Sequence, residues 1–198
     1  LVAAPQAGGQ GDELHVVLPG VVLREVHGEV HLALGLGQHG GQLRLVPGGA
    51  AALRQQFAAR GLRLVILKGC RRTGSYLLYL YRERDLAEVL GRREHRDFLR
   101  AMGYTPWEAP GDCLRQLAAR LCLEEEFPHE IGVFLGYPLE DVVGFIRNRG
   151  RNYTCCGYWK AYGDPEAAQK RFDQYRRCTA ACCEQFRKGT AITQLIAA

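Results

Sequence analysis

Ten of the twenty amino-acid types are missing from the first 50 residues: Phe, Tyr, Trp, Cys, Lys, Ile, Ser, Thr, Asn and Met. All aromatic residues and all eight cysteines lie in 51–198. The first 50 residues hold 11 of the 24 glycines and a formal charge of −2, whereas the remainder carries +7. Without aromatics or Ile this segment has little with which to build a core. The whole chain lacks any apolar run of the roughly 18–20 residues that a membrane helix needs. The start lacks the basic region and long apolar stretch of a secretory signal. A cytoplasmic protein without membrane association is therefore expected, with its thiols reduced.

Several chemistries are excluded by what is missing. Ser75 is the only serine and opens a strand, so no serine nucleophile pairs with a base. Gly35-Leu36-Gly37-Gln38-His39-Gly40 matches a dinucleotide-binding pattern in letters, but no helix follows it. No Cys-x-x-Cys occurs, and His129-Glu130 lacks the second histidine of a zinc-protease helix. No catalytic motif is recognisable, so whether the protein is an enzyme stays open.

What remains is an ordinary globular composition, 47% hydrophobic and 24% charged over 198 residues. Arginine dominates the positive charge, 22 against four lysines, and ten basic residues face four acids between 145 and 190. Such a stretch attracts anions, or is simply a solvated helix face.

Along the chain, short Val/Leu runs at 14–18, 21–26, 29–36 and 42–46 alternate with glycine turns. They read as a β-meander, a low-complexity extension, or a misread frame in GC-rich DNA. From residue 50 the signals sharpen. A helix is expected over 50–60, closed by Gly61. Strands at 62–68 and 75–82 make a hairpin with a basic loop. Helices are expected over 85–90 and 92–102, with Leu86, Val89, Leu90, Phe98 and Leu99 inward and Gly103 as the stop. Asp112 caps a helix to about 125 that buries Leu114, Leu117 and Leu121. Two short helical patterns, 127–135 and 138–148, flank Gly136-Tyr137. Residues 153–162 read as an aromatic strand, and Asp164-Pro165-Glu166 opens a helix to about 187. The expected fold is α+β: a β-hairpin plus a third aromatic strand packed on several helices, with a long C-terminal helix. Residues 1–49 form an atypical Gly-rich extension and 50–198 a single domain.

Two strings stand out: Phe127-Pro128-His129-Glu130-Ile131-Gly132-Val133-Phe134-Leu135-Gly136-Tyr137-Pro138-Leu139-Glu140-Asp141-Val142, and Cys155-Cys156-Gly157-Tyr158-Trp159-Lys160-Ala161-Tyr162. With the spacing to Phe172, Tyr175 and Cys178, they resemble a bacterial family of unknown function, domain of unknown function 3793, over about 51–195. The resemblance implies an anaerobic Gram-positive setting and brings no activity. Its members usually open with a Cys-Ala-Pro-Thr-Leu-Ala-Gly-like stretch, which 1–50 does not contain.

Four constellations are candidate sites. His129 and Glu130 pair an imidazole with an acid, suited to proton transfer, although neighbours on a helix point about 100° apart. Cys155, Cys156, Cys178 and Cys182 would hold zinc or an iron–sulfur cluster if the 155/156 turn meets the last helix; buried structural thiols are the plainer explanation. Cys113 and Cys122 read as helix-packing residues. Ile131, Gly132, Leu135, Gly136, Val142 and Phe145 fit a helix-turn-helix, followed by Arg147, Arg149 and Arg151. Glu140 and Asp141 at its groove-facing end argue against DNA reading, so nucleic acid is not the favoured partner. Tyr158, Trp159, Lys160 and Tyr162, near Tyr153 and Arg151, mix rings with cations as a planar-ligand site would. In a strand, Tyr158, Lys160 and Tyr162 share one face and Trp159 and Ala161 the other. The leading expectation is a small binding or accessory protein with a thiol- and aromatic-rich site for a metal or planar ligand. The alternative is nucleic-acid or protein-partner binding through the helical hairpin and basic stretch.

Overall fold

The computed structural model describes residues 21–26, 29–34, 42–45, 49–70 and 75–195. They are mixed α and β, with small antiparallel strand pairs and a long C-terminal helix. The chain divides into two compact units, described residues 21–83 with 174–195, and 84–173.

In the first unit, strands β1 (Val21–Val26), β2 (Glu29–Leu34) and β3 (Gln42–Leu45) form an antiparallel meander. Val21 pairs with Leu34, and Val30 with both Glu25 and Leu45. Side chains of 1–53 and the basic loop 71–74 lie outside the described residues, as do residues 14–18. The atypical Gly-rich extension expected over 1–49 is described only at its three strands and at Gly49. Helix α1 (Gly49–Ala58) ends before Gly61, whose φ of +71° is the left-handed turn that the glycine stop predicts.

Strands β4 (Leu62–Cys70) and β5 (Ser75–Arg82) form the expected hairpin. Leu62 and Leu64 point inward, then the phase slips: Ile66 is exposed and Leu67 buried. A bulge between Ile66 and Lys68 explains this, because an extra residue inverts every later side chain. Phe57, Tyr79 and Leu80 complete this core.

The second unit begins with α2 (Glu83–Gly91) and α3 (Arg93–Ala101), which bury Leu86, Leu90 and Leu99. Val89 and Phe98, expected inward, are only half-buried. The buried polar residue here is His95, whose Nδ1 lies 2.7 Å from the Val89 carbonyl. Gly103 stops the chain at φ +92°. Helix α4 (Pro110–Leu123) buries Leu114, Leu117 and Leu121 as their spacing predicts, each worth roughly 1.5–3 kcal/mol of transfer free energy. Asp112 is not its N-cap, because the proline starts the helix two residues earlier. Its carboxylate instead reaches back to accept the backbone N–H of Ala109 at 3.1 Å and of Glu108 at 3.3 Å. Cys113 is buried, as expected of a packing residue, but Cys122 is exposed.

The next pattern condenses to one turn, α5 (Ile131–Phe134), joined through Gly136 (φ +73°) to α6 (Leu139–Asn148). Gly132 is where the two cross: a Cβ there would sit 2.7 Å from Val142 and 3.3 Å from Tyr137. Strands β6 (Cys155–Cys156) and β7 (Lys160–Ala161) follow, then α7 (Pro165–Arg187). Asp164 caps α7 by accepting the Glu166 N–H at 2.9 Å, and Gly189 (φ +90°) closes it. The division between the units falls within α7, and α8 (Ile192–Leu195) follows it.

Gly132→Ala should cost about 1–3 kcal/mol in urea unfolding through overpacking. Val142→Ala should then be less harmful in that background than in the wild type. Additive losses would show that the close crossing is not the cause.

Candidate functional site

The geometry of residues 127–163 depends on Asp141 in the first turn of α6. The sequence marks it as an acid at the positive helix end. The structure gives it a second task. Only 4% exposed, its carboxylate accepts the Trp159 indole N–H at 2.7 Å, the Tyr162 backbone N–H at 2.6 Å and the Gly163 N–H at 3.2 Å. Three donors satisfy a buried carboxylate that would otherwise be costly to desolvate.

That clamp shapes the aromatic segment. Residues 153–162 are one aromatic strand in the sequence reading, but they fold back on themselves. Cys155 pairs with Ala161 and Cys156 with Lys160, and the Gly157 N–H donates to the Trp159 carbonyl across the turn. Gly157 lets this turn pack against α7, since a Cβ there would collide with the Phe172 ring. Thr154 fastens the base, its hydroxyl donating to the carbonyls of Ala161 and Gly163. The alternation survives: Trp159 and Ala161 are buried, while Tyr158, Lys160 and Tyr162 are half-buried. Trp159, 6% exposed, stacks on Tyr137 at 4.9 Å and meets Phe172 edge-on at 4.6 Å. Its ring thus packs the hairpin against α6 and α7. Gly144 lets the Tyr162 ring lie against α6, since a Cβ there would overlap it.

On the half-buried face, Lys160 organises a corner. Its ammonium donates to the Gly150 carbonyl at 2.7 Å, 5.1 Å from the centre of the Tyr153 ring and 5.9 Å from that of Phe145. Gly150 (φ +70°) makes the approach possible, because a Cβ would sit 3.1 Å from Phe145 and 3.5 Å from the ammonium. Arg149 (φ 51°) and Asn152 (φ 59°) also adopt left-handed backbone in this turn. The Phe145 ring continues to His129 at 4.7 Å and on to Phe127 at 5.7 Å. Tyr153 is 45% and Phe127 38% exposed. Arg147, Arg149 and Arg151 are exposed, and no Asp or Glu occurs from 142 to 163. The Tyr162 hydroxyl oxygen is shielded and bonds to no protein atom among the described residues. Burial, then the Asp141 charge and the Tyr153 phenol, raise the pKa of that hydroxyl.

His129 and Glu130 diverge. Glu130, 1% exposed, accepts the Tyr104 hydroxyl at 3.2 Å and Arg120 Nε at 2.7 Å. Arg120 Nη1 also donates to the Met102 carbonyl at 2.9 Å, and its guanidinium lies over the Tyr104 ring at 5.3 Å. This is a fully engaged structural network that ties α4 to α5. His129 belongs to the ring series instead. Burial pushes its imidazole below the ordinary 6.5, opposed by Glu130 and Glu126.

The thiols sit apart in kind. Cys155 is half-buried and Cys156 exposed in β6; Cys178 is exposed, Cys182 half-buried and Cys183 buried in α7. Burial first, then Cys178 and Cys183, raise the Cys182 thiol; burial pushes Cys113 up to about 12. Neither favours a reactive thiolate. Among the described residues no three His, Cys, Asp or Glu side chains are grouped to hold a metal ion. The helix-turn-helix reading finds its turn, but α5 has only four residues and Asp141 faces inward. Sequence reasoning assigns no site role to Gly150 or Arg120, and takes Phe145 and Asp141 only as positions of the helix-turn-helix pattern and its acidic start. The local glycine signals at 144 and 150 were the available hint.

Asp141→Ala leaves three donors without their acceptor and should cost about 2–4 kcal/mol. In a Trp107→Phe background, Trp159 emission should shift to the red; unchanged emission would show that the indole does not depend on the carboxylate. A second expectation concerns pH. Because the folded-state pKa of His129 is lowered, its contribution to stability is complete above pH 6.5 and is lost as pH falls through the lowered value. His129→Asn should flatten the stability profile below pH 6.5, read by urea midpoints.

Among the described residues no helix is long and apolar enough to cross a membrane. No curated protein and no solved structure matches the chain. One family model does, over residues 38–196, ahead of the Ala51 start that the resemblance gave and so including part of the glycine-rich stretch. It spans most of the chain and both units, and on that match the chain belongs to the family described as Protein of unknown function (DUF3793).

Proposed function

We propose that this protein is a binding module for a planar, anionic ligand, received at the corner formed by Tyr153, Lys160 and Phe145. The observation that carries this reading is the Lys160 ammonium held between two rings, one of them 45% exposed. A cation fixed beside an aromatic face offers a stacking surface and a charge to the same ligand. Tyr158 and Tyr162 extend the half-buried face, and Trp159 holds it in place from behind. Asp141 spends its charge on backbone and indole N–H groups, and residues 142–163 contain no acid, which leaves Glu140, beside Gly163, as the exposed acid of α6.

Support rests on rings and cations rather than on thiols, since the described residues group no metal-ligand set. The seven described cysteines are all free, which suits the reducing cytoplasm, the compartment in which we place the protein.

Adenosine monophosphate serves as probe, with adenosine as its uncharged counterpart. Calorimetry should show the monophosphate binding more tightly. Tyr153→Ala should weaken it by about 1–3 kcal/mol, the worth of one stacked base, and Lys160→Met should abolish the preference for the phosphate. Circular dichroism controls for folding. Equal affinity of both variants and the wild type would refute the assignment.

A further inference from the structure

We infer that the occupant of this corner is a single-stranded nucleic acid, whose successive nucleotides use the ring series and the arginines together. This deepens the planar-anion reading and rests on it.

Three observations go beyond a mononucleotide. The first is charge in excess of one phosphate. Arg147, Arg149, Arg151 and Lys160 lie in a 22-residue segment, 142–163, without a single acid. Arg149 and Arg151 flank the glycine whose carbonyl fixes Lys160, so two of these cations issue from one turn and a third is bonded to it. The second is aromatic surface in excess of one base. Beyond Lys160 the rings continue from Phe145 to His129 at 4.7 Å and to Phe127 at 5.7 Å, with exposed rings at both ends. Side-by-side rings and cations that track a backbone are the parts from which sequence-tolerant single-strand sites are built. The third is polarity. Glu124, Glu125 and Glu126 stand immediately before Phe127, so the track is cationic at one end and closed by acids at the other. Three nucleotides of a longer strand, with the four phosphates that bound them, would lie with those phosphates towards the cations and the last base at His129.

Duplex DNA does not fit. One-turn α5 cannot brace a groove-reading helix, and α6 opens with Pro138, Glu140 and an Asp141 turned inward. Its cations gather at the far end, where they read a backbone and not base edges.

The test uses the full chain and a fluorescein-labelled (dT)12 oligomer in anisotropy titrations across salt. Four phosphate contacts predict a slope of log affinity against log salt of about −3, from −0.7 per contact on single strands. Combined Arg147→Gln, Arg149→Asn and Arg151→Gln should bring that slope to about −1. Tyr153→Ala should lower affinity about 5- to 100-fold at unchanged slope, because it removes stacking and no charge. Adenosine monophosphate binding as tightly as the oligomer would overturn the strand while leaving the planar-anion reading intact. No binding of either would overturn both. A 12-base-pair duplex bound as tightly as the single strand, or heparin bound with equal loss in Tyr153→Ala, would also overturn it.

Discussion

The buried carboxylate of Asp141 governs residues 127–163. It takes one N–H from an indole and two from a backbone turn 21 and 22 residues later in the chain. A buried charge with three directed donors is tolerable only in one arrangement, so it selects the hairpin conformation as well as stabilising it. Trp159 is thereby pinned between Tyr137 and Phe172, and the alternation along the strand then sends Lys160 to the other side. The position of the candidate ligand-binding cation is thus a consequence of where an anion is buried on the opposite face.

Close approach is the second condition. Gly144, Gly157 and Gly163 each stand where a Cβ would overlap a neighbour, respectively Tyr162, Phe172 and the Glu140 carboxylate. With only two rungs in its ladder, this hairpin has little backbone pairing of its own. Its shape comes from ring packing, the Asp141 clamp and the Thr154 hydroxyl. A site of this kind is preformed, which lowers the ordering cost of binding a small planar ligand.

What was legible in the sequence is what local chemistry decides. Gly61, Gly103 and Gly136 mark stops or turns in the sequence, and all have positive φ. The leucine spacing of α4 and the Asp164-Pro165 start of α7 hold because helix periodicity and capping act within a few residues. The family match followed from two continuous strings. Pairings between distant residues were not legible. By sequence Asp141 is a dipole-neutralising acid and Glu130 half of a proton-transfer pair, and nothing singles out Arg120. Their roles are fixed by partners 10 to 26 residues away, which no local pattern encodes. The single aromatic strand failed for a related reason: period-two alternation is the same in a strand and in a strand that reverses at a glycine.

Charge along α6 has two explanations, and they separate by position. Glu140 and Asp141 in the first turn and Arg147 in the last complement the helix dipole, so helix stability alone accounts for them. Arg149 shares that account in part, because as the C-cap it stands at the negative end of the dipole. Its left-handed backbone is one that a glycine or asparagine would hold at less cost. Arg151, two residues past the cap, gains less from the dipole. Lys160 adds a third cation to the same turn, bonded to the carbonyl between them. Like charges gathered in one turn repel, so the fold gains nothing from the gathering itself. The turn nonetheless holds them together, with the Lys160 ammonium anchored on the Gly150 carbonyl and the exposed Tyr153 ring beside it, and the proposal of a bound anion rests on that gathering.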